Sequence, residues 1–207
     1  MAQITTGLRR VLNDPRIYVV TQRLLTSEAR TRRWVDEILR PRAGQRVLDI
    51  GCGPADLLRF LPAVVYVGFD SSAEYIAAAR ARFGTRGRFE HARVDEAALE
   101  DLGLFDLVIA RGVLHHLDDT EAEQLFRLAR RALRPAGRVV TLDACWAEGQ
   151  HPLARMLIAR DRGQNVRDAA GYRALAARVF DDVHAEVRHD LMRVPYTHCS
   201  LEASVPP

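Results

Sequence analysis

Short apolar runs alternate with amphipathic stretches along most of the chain. Five apolar runs predict strands, at 46–50, 64–69, 89–94, 105–110 and 138–142. The stretches between them predict helices, and capping boxes of the form S/T-x-x-E open two of these, at Ser71–Glu74 and Thr120–Glu123. Because strands alternate with helices, the pattern predicts a doubly wound α/β sheet of mostly parallel strands.

The two ends of the chain follow a different pattern from this centre. Before the first strand, Asp14-Pro15 predicts the start of a helix to Leu25, and a second helix carries an apolar stripe around Trp34. After the fifth strand we expect an irregular segment with a short helix, then a helix over 168–180 and a hairpin of 183–188 with 191–201. The chain is therefore interpreted as one domain, 1–207, with N-terminal helices (1–43), a central core (44–145) and a closing segment (146–207).

The composition places the chain among ordinary globular domains. Hydrophobic residues make up 48% and charged residues 28%. No apolar run is long enough to span a bilayer, and the N-terminus lacks the apolar segment of a signal peptide. Three widely spaced cysteines predict neither a disulfide framework nor a metal site. We therefore expect a cytoplasmic protein without membrane association.

Charge narrows the chemistry further. The 30 basic residues are all arginine, which excludes a lysine nucleophile and Schiff-base chemistry. The net charge of +3 is too small to indicate a polyanionic partner, so nucleic acid is not favoured, although ten arginines lie within residues 1–46.

The stretch "DIGCGPAD", residues 49–56, follows the first predicted strand. It begins like the dinucleotide fingerprint G-x-G-x-x-G, but Asp56 stands at the sixth position and Asp49 precedes the turn. Two carboxylates would repel a pyrophosphate, so the turn favours a cationic nucleoside without phosphate. Asp70 ends the second strand 19 residues after Gly51, where it can accept hydrogen bonds from ribose hydroxyls. A nicotinamide-dependent oxidoreductase is the alternative.

Four stretches in order resemble the successive motifs of class I S-adenosylmethionine-dependent methyltransferases, closest to the small-molecule group. They are "VLDIGCGPADLL", "YVGFDSS", "FDLVIARGVLHHLDD" and "LRPAGRVVTLD". The resemblance implies a Rossmann-like, doubly wound, seven-stranded sheet in which an antiparallel last strand lies between the fifth and sixth. It also implies S-adenosyl-L-methionine as cofactor, with S-adenosyl-L-homocysteine as its product.

The resemblance further implies roles for residues around the glycine turn. Asp49, Gly51 and Gly53 would line the methionine part of the cofactor. Asp70 would bind the ribose, and Ser71 would lie beside the adenine. Ala55 occupies a position where many members have a third glycine.

Other cofactor contacts are implied farther along the chain. Arg111 would contact the amino-acid moiety mainly through its backbone, and either the amide of Val94 or the carboxylate of Asp95 would meet the adenine amino group. Tyr18 and Gln22 lie four residues apart on one face of a helix that resembles a lid over the cofactor. Alternatively, Tyr18 simply packs that helix against the core.

Two histidines follow the fourth strand. Adjacent residues on a turn point apart, so His115 and His116 are not both expected in one site. We predict His116 as the catalytic residue, a general base or a residue at the rim, with a structural role for both histidines as the alternative.

Candidate acceptor residues lie in the last third of the chain. Three arginines could recognise a carboxylate, phosphate or sugar hydroxyls together with Gln164 and Asn165, unless the segment is a solvated loop: Arg160, Arg162 and Arg167. Tyr196 and His198 would share one face of a strand and reach the site, unless they belong to the core.

The function predicted from the sequence is methyl transfer to a small-molecule acceptor, with O- or C-methylation favoured. Two alternatives stay open, an NAD(P)-linked oxidoreductase and a non-catalytic methyltransferase-like module. The sequence predicts no oligomeric state.

Overall fold

The structure is a computed structural model that describes residues 27–161 and 163–207. The helix predicted before residue 26, with Tyr18 and Gln22, lies outside the described residues. The second predicted helix is present as α1, Glu28–Trp34, and it continues as a π-helical turn, Val35–Leu39. Trp34, Val35 and Leu39 are buried against the sheet, so the predicted apolar stripe is confirmed.

A mostly parallel sheet forms the centre of the molecule. Its strands are β1 (Arg46–Ile50), β2 (Val65–Asp70), β3 (Gly87–His91), β4 (Phe105–Arg111), β5 (Leu133–Trp146), β6 (Arg167–Asp168), β7 (Asp182–Arg188) and β8 (His198–Ser204). Seven of them run in the order β3-β2-β1-β4-β5-β8-β7, and the two-residue β6 pairs with β5. Strand β8 is antiparallel to both of its neighbours. The Rossmann-like sheet with its inserted antiparallel last strand is therefore confirmed.

Helices cover both faces of this sheet. They are α2 (Ala73–Phe83), α3 (Glu96–Glu100), α4 (Asp119–Ala132), α5 (Pro152–Ala159) and α6 (Ala169–Ala176), with 3-10 turns at Asp56–Phe60, Gly84–Arg86 and Leu114–His116. One apolar layer packs α4 and α6 on one face around Phe126 and Tyr172. The other packs α1 and α2 on the opposite face around Trp34 and Ile76. Side chains alternate along β1, with Val47 in the second layer and Leu48 in the first.

Both predicted capping boxes were wrong in register. Helix α2 is capped by Ser72, whose hydroxyl accepts from the amide of Tyr75. Helix α4 begins two residues earlier than predicted, because Asp118 and Glu121 form the reciprocal box. At each helix, neighbouring polar side chains compete for the same free amides: two serine hydroxyls at α2, and a carboxylate and a hydroxyl at α4. Local sequence alone does not decide which of them caps the helix.

Other boundaries also moved. Strand β3 ends at His91 instead of 94, and helix α3 was not predicted because five residues are too short for a helical period. The second strand of the hairpin begins at His198 instead of 191. None of the helices in the described ranges combines the length and apolar character needed to cross a bilayer.

Candidate active site

A cavity of about 1660 Å³ opens at the carboxyl ends of β1, β2 and β4. This is where the strand order reverses, and open α/β sheets bind their ligands at such a point. The volume exceeds that of a typical single-ligand pocket, so it can hold a nucleoside cofactor together with a second molecule. The cavity therefore has a cofactor end, at the glycine turn, and an acceptor end, near β8 and the C-terminus of α5.

The glycine turn after β1 has the backbone that its sequence suggests. Gly51 and Gly53 have φ values of 73° and 54°, and a Cβ added at Gly51 would lie 2.6 Å from Cγ2 of Val113. At Gly53 an added Cβ would meet no atom within 4 Å, so the turn leaves open space there. Ala55 also has a positive φ, 55°, which explains why a third glycine would suit this position.

Asp70 closes the turn onto the end of β2. Its Oδ2 accepts from the amide of Gly53 at 2.8 Å, and its Oδ1 accepts from the amide of Ser72 at 2.8 Å. Ser71 also lines the cavity beside it. One carboxylate thus joins the glycine turn to the start of α2, and it lines the cofactor end as the sequence suggested.

Asp49 lies on the floor of the cavity and is only 2% exposed. Its Oδ2 accepts a hydrogen bond from the hydroxyl of Tyr66 at 2.7 Å. Burial raises the pKa of Asp49 from its ordinary 3.8 to about 6, partly offset by the Tyr66 hydrogen bond and the charge of Arg111. A carboxylate buried in this way favours a cationic ligand, because a positive charge nearby stabilises its ionised form.

Asp56 is expected to repel a phosphate less strongly than the sequence suggested. Its carboxylate forms an ion pair with the guanidinium of Arg82 at the edge of the cavity. The expectation that Asp56 repels a pyrophosphate is therefore weakened, since Arg82 supplies a compensating charge. Asp49, buried at the turn, is then the carboxylate that would repel a phosphate there.

The segment after β3 separates the two candidates for the adenine contact. Val94 lines the cavity. Asp95 instead caps α3, where its carboxylate accepts from the amide of Ala98 at 2.8 Å, and it lies outside the cavity lining. Of the two predicted alternatives, the cavity lining thus includes Val94 and not Asp95, and the contact with the adenine stays a prediction.

Both histidines after β4 line the cavity, contrary to the expectation that they point apart. They lie in the 3-10 turn, and their rings are in contact with centroids 4.1 Å apart and an angle of 41° between the ring planes. Nδ1 of His115 lies 2.8 Å from Oδ1 of Asp143, and Nε2 lies 3.7 Å from Oδ1 of Asp161. Burial alone would lower the pKa of His115, but these two carboxylates raise it above its ordinary 6.5. His115 thus lies between two carboxylates that favour its protonated form, with His116 against its ring.

The acceptor end includes residues from the closing segment. Tyr196 and His198 line the cavity with rings 4.8 Å apart, although Tyr196 precedes β8 and is not part of it. The Tyr196 hydroxyl donates to Oδ2 of Asp161 at 2.7 Å. Burial, together with the charges of Arg111 and His115, lowers the pKa of His198 to about 3, so its ring is neutral.

The predicted acceptor arginines differ in their relation to this cavity, which Arg160 lines. Arg167 lies outside this cavity, because its guanidinium bonds to Asp119 and to the carbonyls of Leu114, Asn165 and Leu117. That set of contacts identifies it as a structural residue, and its assignment to the acceptor is corrected. Arg162 lies outside the described residues.

Sequence reasoning missed several residues of this site. Asp143 follows an apolar run as Asp49 does, so its place near a strand end was a usable signal. Tyr66, Asp161 and Arg193 gave no such signal, since only the folded chain brings them to the cavity or its wall. Within the described ranges no group of three or more His, Cys, Asp or Glu side chains is arranged to hold a metal ion.

Comparison with known proteins agrees with this geometry. Residues 47–137 match the family described as methyltransferase domain. The apo crystal structure of the S-adenosylmethionine-dependent methyltransferase SibL superposes with a TM-score of 0.72, at 20% identity, over 97% of this chain and 60% of that one. The fold and the cavity therefore define a Rossmann-like methyltransferase domain.

Named relatives by sequence agree with this class. Phosphoethanolamine N-methyltransferase 1 of Triticum aestivum is 31% identical over 166 residues, 77% of this chain and 33% of that protein. The 27-O-demethylrifamycin SV methyltransferase of Amycolatopsis mediterranei is 36% identical over 129 residues, 57% of this chain and 46% of that protein. The chain thus spans less than half the length of these relatives. The matched domain, these relatives and the fold together support a class I S-adenosylmethionine-dependent methyltransferase.

The residues of the cofactor end fit S-adenosylmethionine, the cofactor of this family. The molecule carries an ammonium group and a sulfonium but no phosphate, which suits the buried carboxylate of Asp49. The open space beside Gly53 lets a ligand approach the backbone closely.

Proposed function

We propose that this protein transfers a methyl group from S-adenosylmethionine to a small-molecule acceptor. The observation that carries the proposal is the buried carboxylate of Asp49 beside a glycine turn, at the end of the sheet where a dinucleotide-binding protein places a pyrophosphate. A cationic, phosphate-free nucleoside matches both features.

Seven of the predicted residues are proposed to hold the cofactor. Asp49, Gly51 and Gly53 would hold its amino-acid part, with the backbone of Arg111, and Asp70 would accept from the ribose. Ser71 and Val94 would border the adenine. When bound, the cofactor supplies an activated methyl group on sulfur, so the chain itself mainly has to orient the two reactants and exclude water.

His116 is proposed to take the proton of a hydroxyl acceptor. It lines the cavity, and its ring lies against His115, which Asp143 and Asp161 hold in place. We assign His115 as a positioning residue in this arrangement, because both of its ring nitrogens face carboxylates. An acceptor that arrives already deprotonated would need no such base.

The acceptor end favours an acceptor with an anionic group. Of the arginines that the structure describes, three have no hydrogen-bond, ion-pair or aromatic partner for the guanidinium: Arg42, Arg160 and Arg193. Arg160 and Arg193 both line the cavity, at the C-terminus of α5 and in the segment before β8. Two uncompensated guanidinium groups at one end of a cavity suit a carboxylate or phosphate.

The relatives bear on the methylated atom. One is named for N-methylation of phosphoethanolamine and the other for O-methylation of a demethylrifamycin. We therefore include nitrogen beside oxygen and carbon as the methylated atom of the proposed acceptor.

Titration calorimetry with S-adenosylhomocysteine and with NAD tests the cofactor. We expect a binding isotherm with the first and none with the second, and the reverse result would refute the proposal. Formation of S-adenosylhomocysteine over a panel of anionic hydroxyl and amine acceptors then tests turnover. Cofactor binding without turnover of any acceptor would favour a non-catalytic module.

A further inference from the structure

Tyr66 contacts the cofactor end of the cavity through Asp49, which lies on the neighbouring strand. In the register of β1 with β2, Asp49 lies opposite Gly68, two residues after Tyr66 on the same face. The Tyr66 side chain extends along β2 past Gly68, and its hydroxyl donates to Oδ2 of Asp49 at 2.7 Å. Tyr66 is itself only 2% exposed, so this hydrogen bond is shielded from water.

Two glycines make room for the ring of Tyr66. A Cβ added at Gly68 would lie 2.9 Å from its Cε1, and a Cβ added at Gly87 would lie 2.8 Å from its Cδ1. Phe89 packs against the ring from β3, with centroids 5.8 Å apart. The ring is therefore packed on three sides, and it places the hydroxyl beside Asp49 and the thiol of Cys52.

The other ionisable groups that face Asp49 come from three elements. Cys52 lies in the glycine turn, Asp70 at the end of β2 and Arg111 at the end of β4. Burial raises the pKa of the Cys52 thiol well above its usual range, so it stays neutral. Burial is also the main cause of the raised pKa of Asp49, and the Tyr66 hydroxyl is the leading opposing contribution.

We propose that Tyr66 is a positioning residue of the cofactor site: its buried hydroxyl orients the Asp49 carboxylate and favours the ionised form that faces the cofactor's ammonium group. Binding of that ammonium group is then coupled to release of a proton from Asp49 to solvent. This inference rests on the proposed function, since it assumes that Asp49 faces the amino-acid part of the cofactor. Its physical basis is that a hydrogen bond donated to a buried carboxylate stabilises the ionised form.

Calorimetry of the full chain with S-adenosylhomocysteine, in buffers of different ionisation enthalpy, tests the coupling. At pH 6 the wild type should release about half a proton, and its affinity should be about tenfold weaker at pH 5 than at pH 7. With 5′-deoxy-5′-methylthioadenosine, which lacks the amino-acid moiety, we expect no proton release. Proton release with this probe equal to that with S-adenosylhomocysteine would overturn the assignment.

The variant Tyr66→Phe isolates the contribution of the Tyr66 hydroxyl from that of the other residues of the site. Its affinity for S-adenosylhomocysteine at pH 7 should fall roughly three- to tenfold and recover by about pH 8.5, and proton release at pH 6 should approach one. Tyr172→Phe is the matched control, because it also loses a buried hydroxyl, which donates to the carbonyl of Ala144 at 2.9 Å. That control should keep the wild-type pH profile.

The outcomes distinguish the role of Tyr66 from the proposed function of the protein. Equal proton release and equal pH profiles in wild type and Tyr66→Phe, or the same loss of affinity at every pH, would overturn the role of Tyr66 alone. No binding of S-adenosylhomocysteine at any pH would overturn the proposed function itself. Carbon-13 NMR of the Asp49 carboxyl, assigned with Asp49→Asn, gives an independent readout, and its midpoint should move to higher pH in Tyr66→Phe.

Discussion

Replacing Asp49 by asparagine should stabilise the ligand-free protein while it weakens cofactor binding. The carboxyl is buried, and its pKa in the folded protein is about 6 against an ordinary 3.8. The folded state therefore holds this proton more tightly than the unfolded state. The stabilising contribution is complete below pH 3.8 and is lost as the pH rises through about 6. That difference in pKa corresponds to about 3 kcal/mol at pH 7 and above, since one pH unit is about 1.4 kcal/mol.

Asparagine is a neutral match for the protonated carboxyl, and its amide oxygen can still accept from Tyr66. Urea unfolding of ligand-free protein between pH 4.5 and 8 should show the variant gaining on the wild type by up to about 3 kcal/mol, or roughly 6–12 °C in melting temperature. Binding of S-adenosylhomocysteine should weaken at least about tenfold at pH 7, because the charge that faces the ammonium group is gone.

Asp95→Asn is the control for this experiment. It also converts an aspartate into asparagine, but at an exposed helix cap where the two residues serve equally well. The raised pKa of Asp49 would be contradicted if Asp49→Asn were less stable than the wild type at pH 7, or if their difference in stability did not change with pH.

Four further outcomes are expected. Gly68→Ala should lower the free energy of unfolding by about 1–3 kcal/mol in urea, since its methyl would lie 2.8 Å from Sγ of Cys52, and an unchanged stability would contradict this packing. Asp70→Ala should weaken S-adenosylhomocysteine binding at least about tenfold by calorimetry, and it should also destabilise the turn by about 1–3 kcal/mol because two amides lose their acceptor. The raised pKa of His115 predicts stability that is present below pH 6.5 and lost as the pH rises through the raised value, and His115→Gln should abolish this alkaline decline in melting temperature. Arg160→Ala and Arg193→Ala should each raise KM for an anionic acceptor about tenfold with little change in kcat, while a neutral ester of that acceptor should respond to neither.

Much of the cofactor end could be predicted from the sequence. The apolar run before residue 50 and the two glycines after it determine a strand followed by a tight turn, and β1 has the predicted bounds. Asp70 ends β2 as expected, because a polar residue directly after an apolar run falls at the carboxyl end of a parallel strand. These features depend on residues close together in the chain, and local periodicity describes such residues well.

The electrostatics of the site was decided only by the tertiary structure. Arg82 forms an ion pair with Asp56, 26 residues away in the chain. Tyr66 on β2 contacts Asp49 on the adjacent β1 because of the register of these two strands. Likewise, Asp143 and Asp161 come together around His115 from β5 and from the segment after α5. Each of these contacts joins side chains whose separation depends on strand register or loop path, and no pattern of neighbouring residues specifies either one. The sequence by itself thus determined the sheet, the glycine turn and the carboxylates beside it. Only the folded chain decided which carboxylate is buried in the cavity and which forms an ion pair with an arginine, because burial and the approach of distant charges are properties of the packed protein.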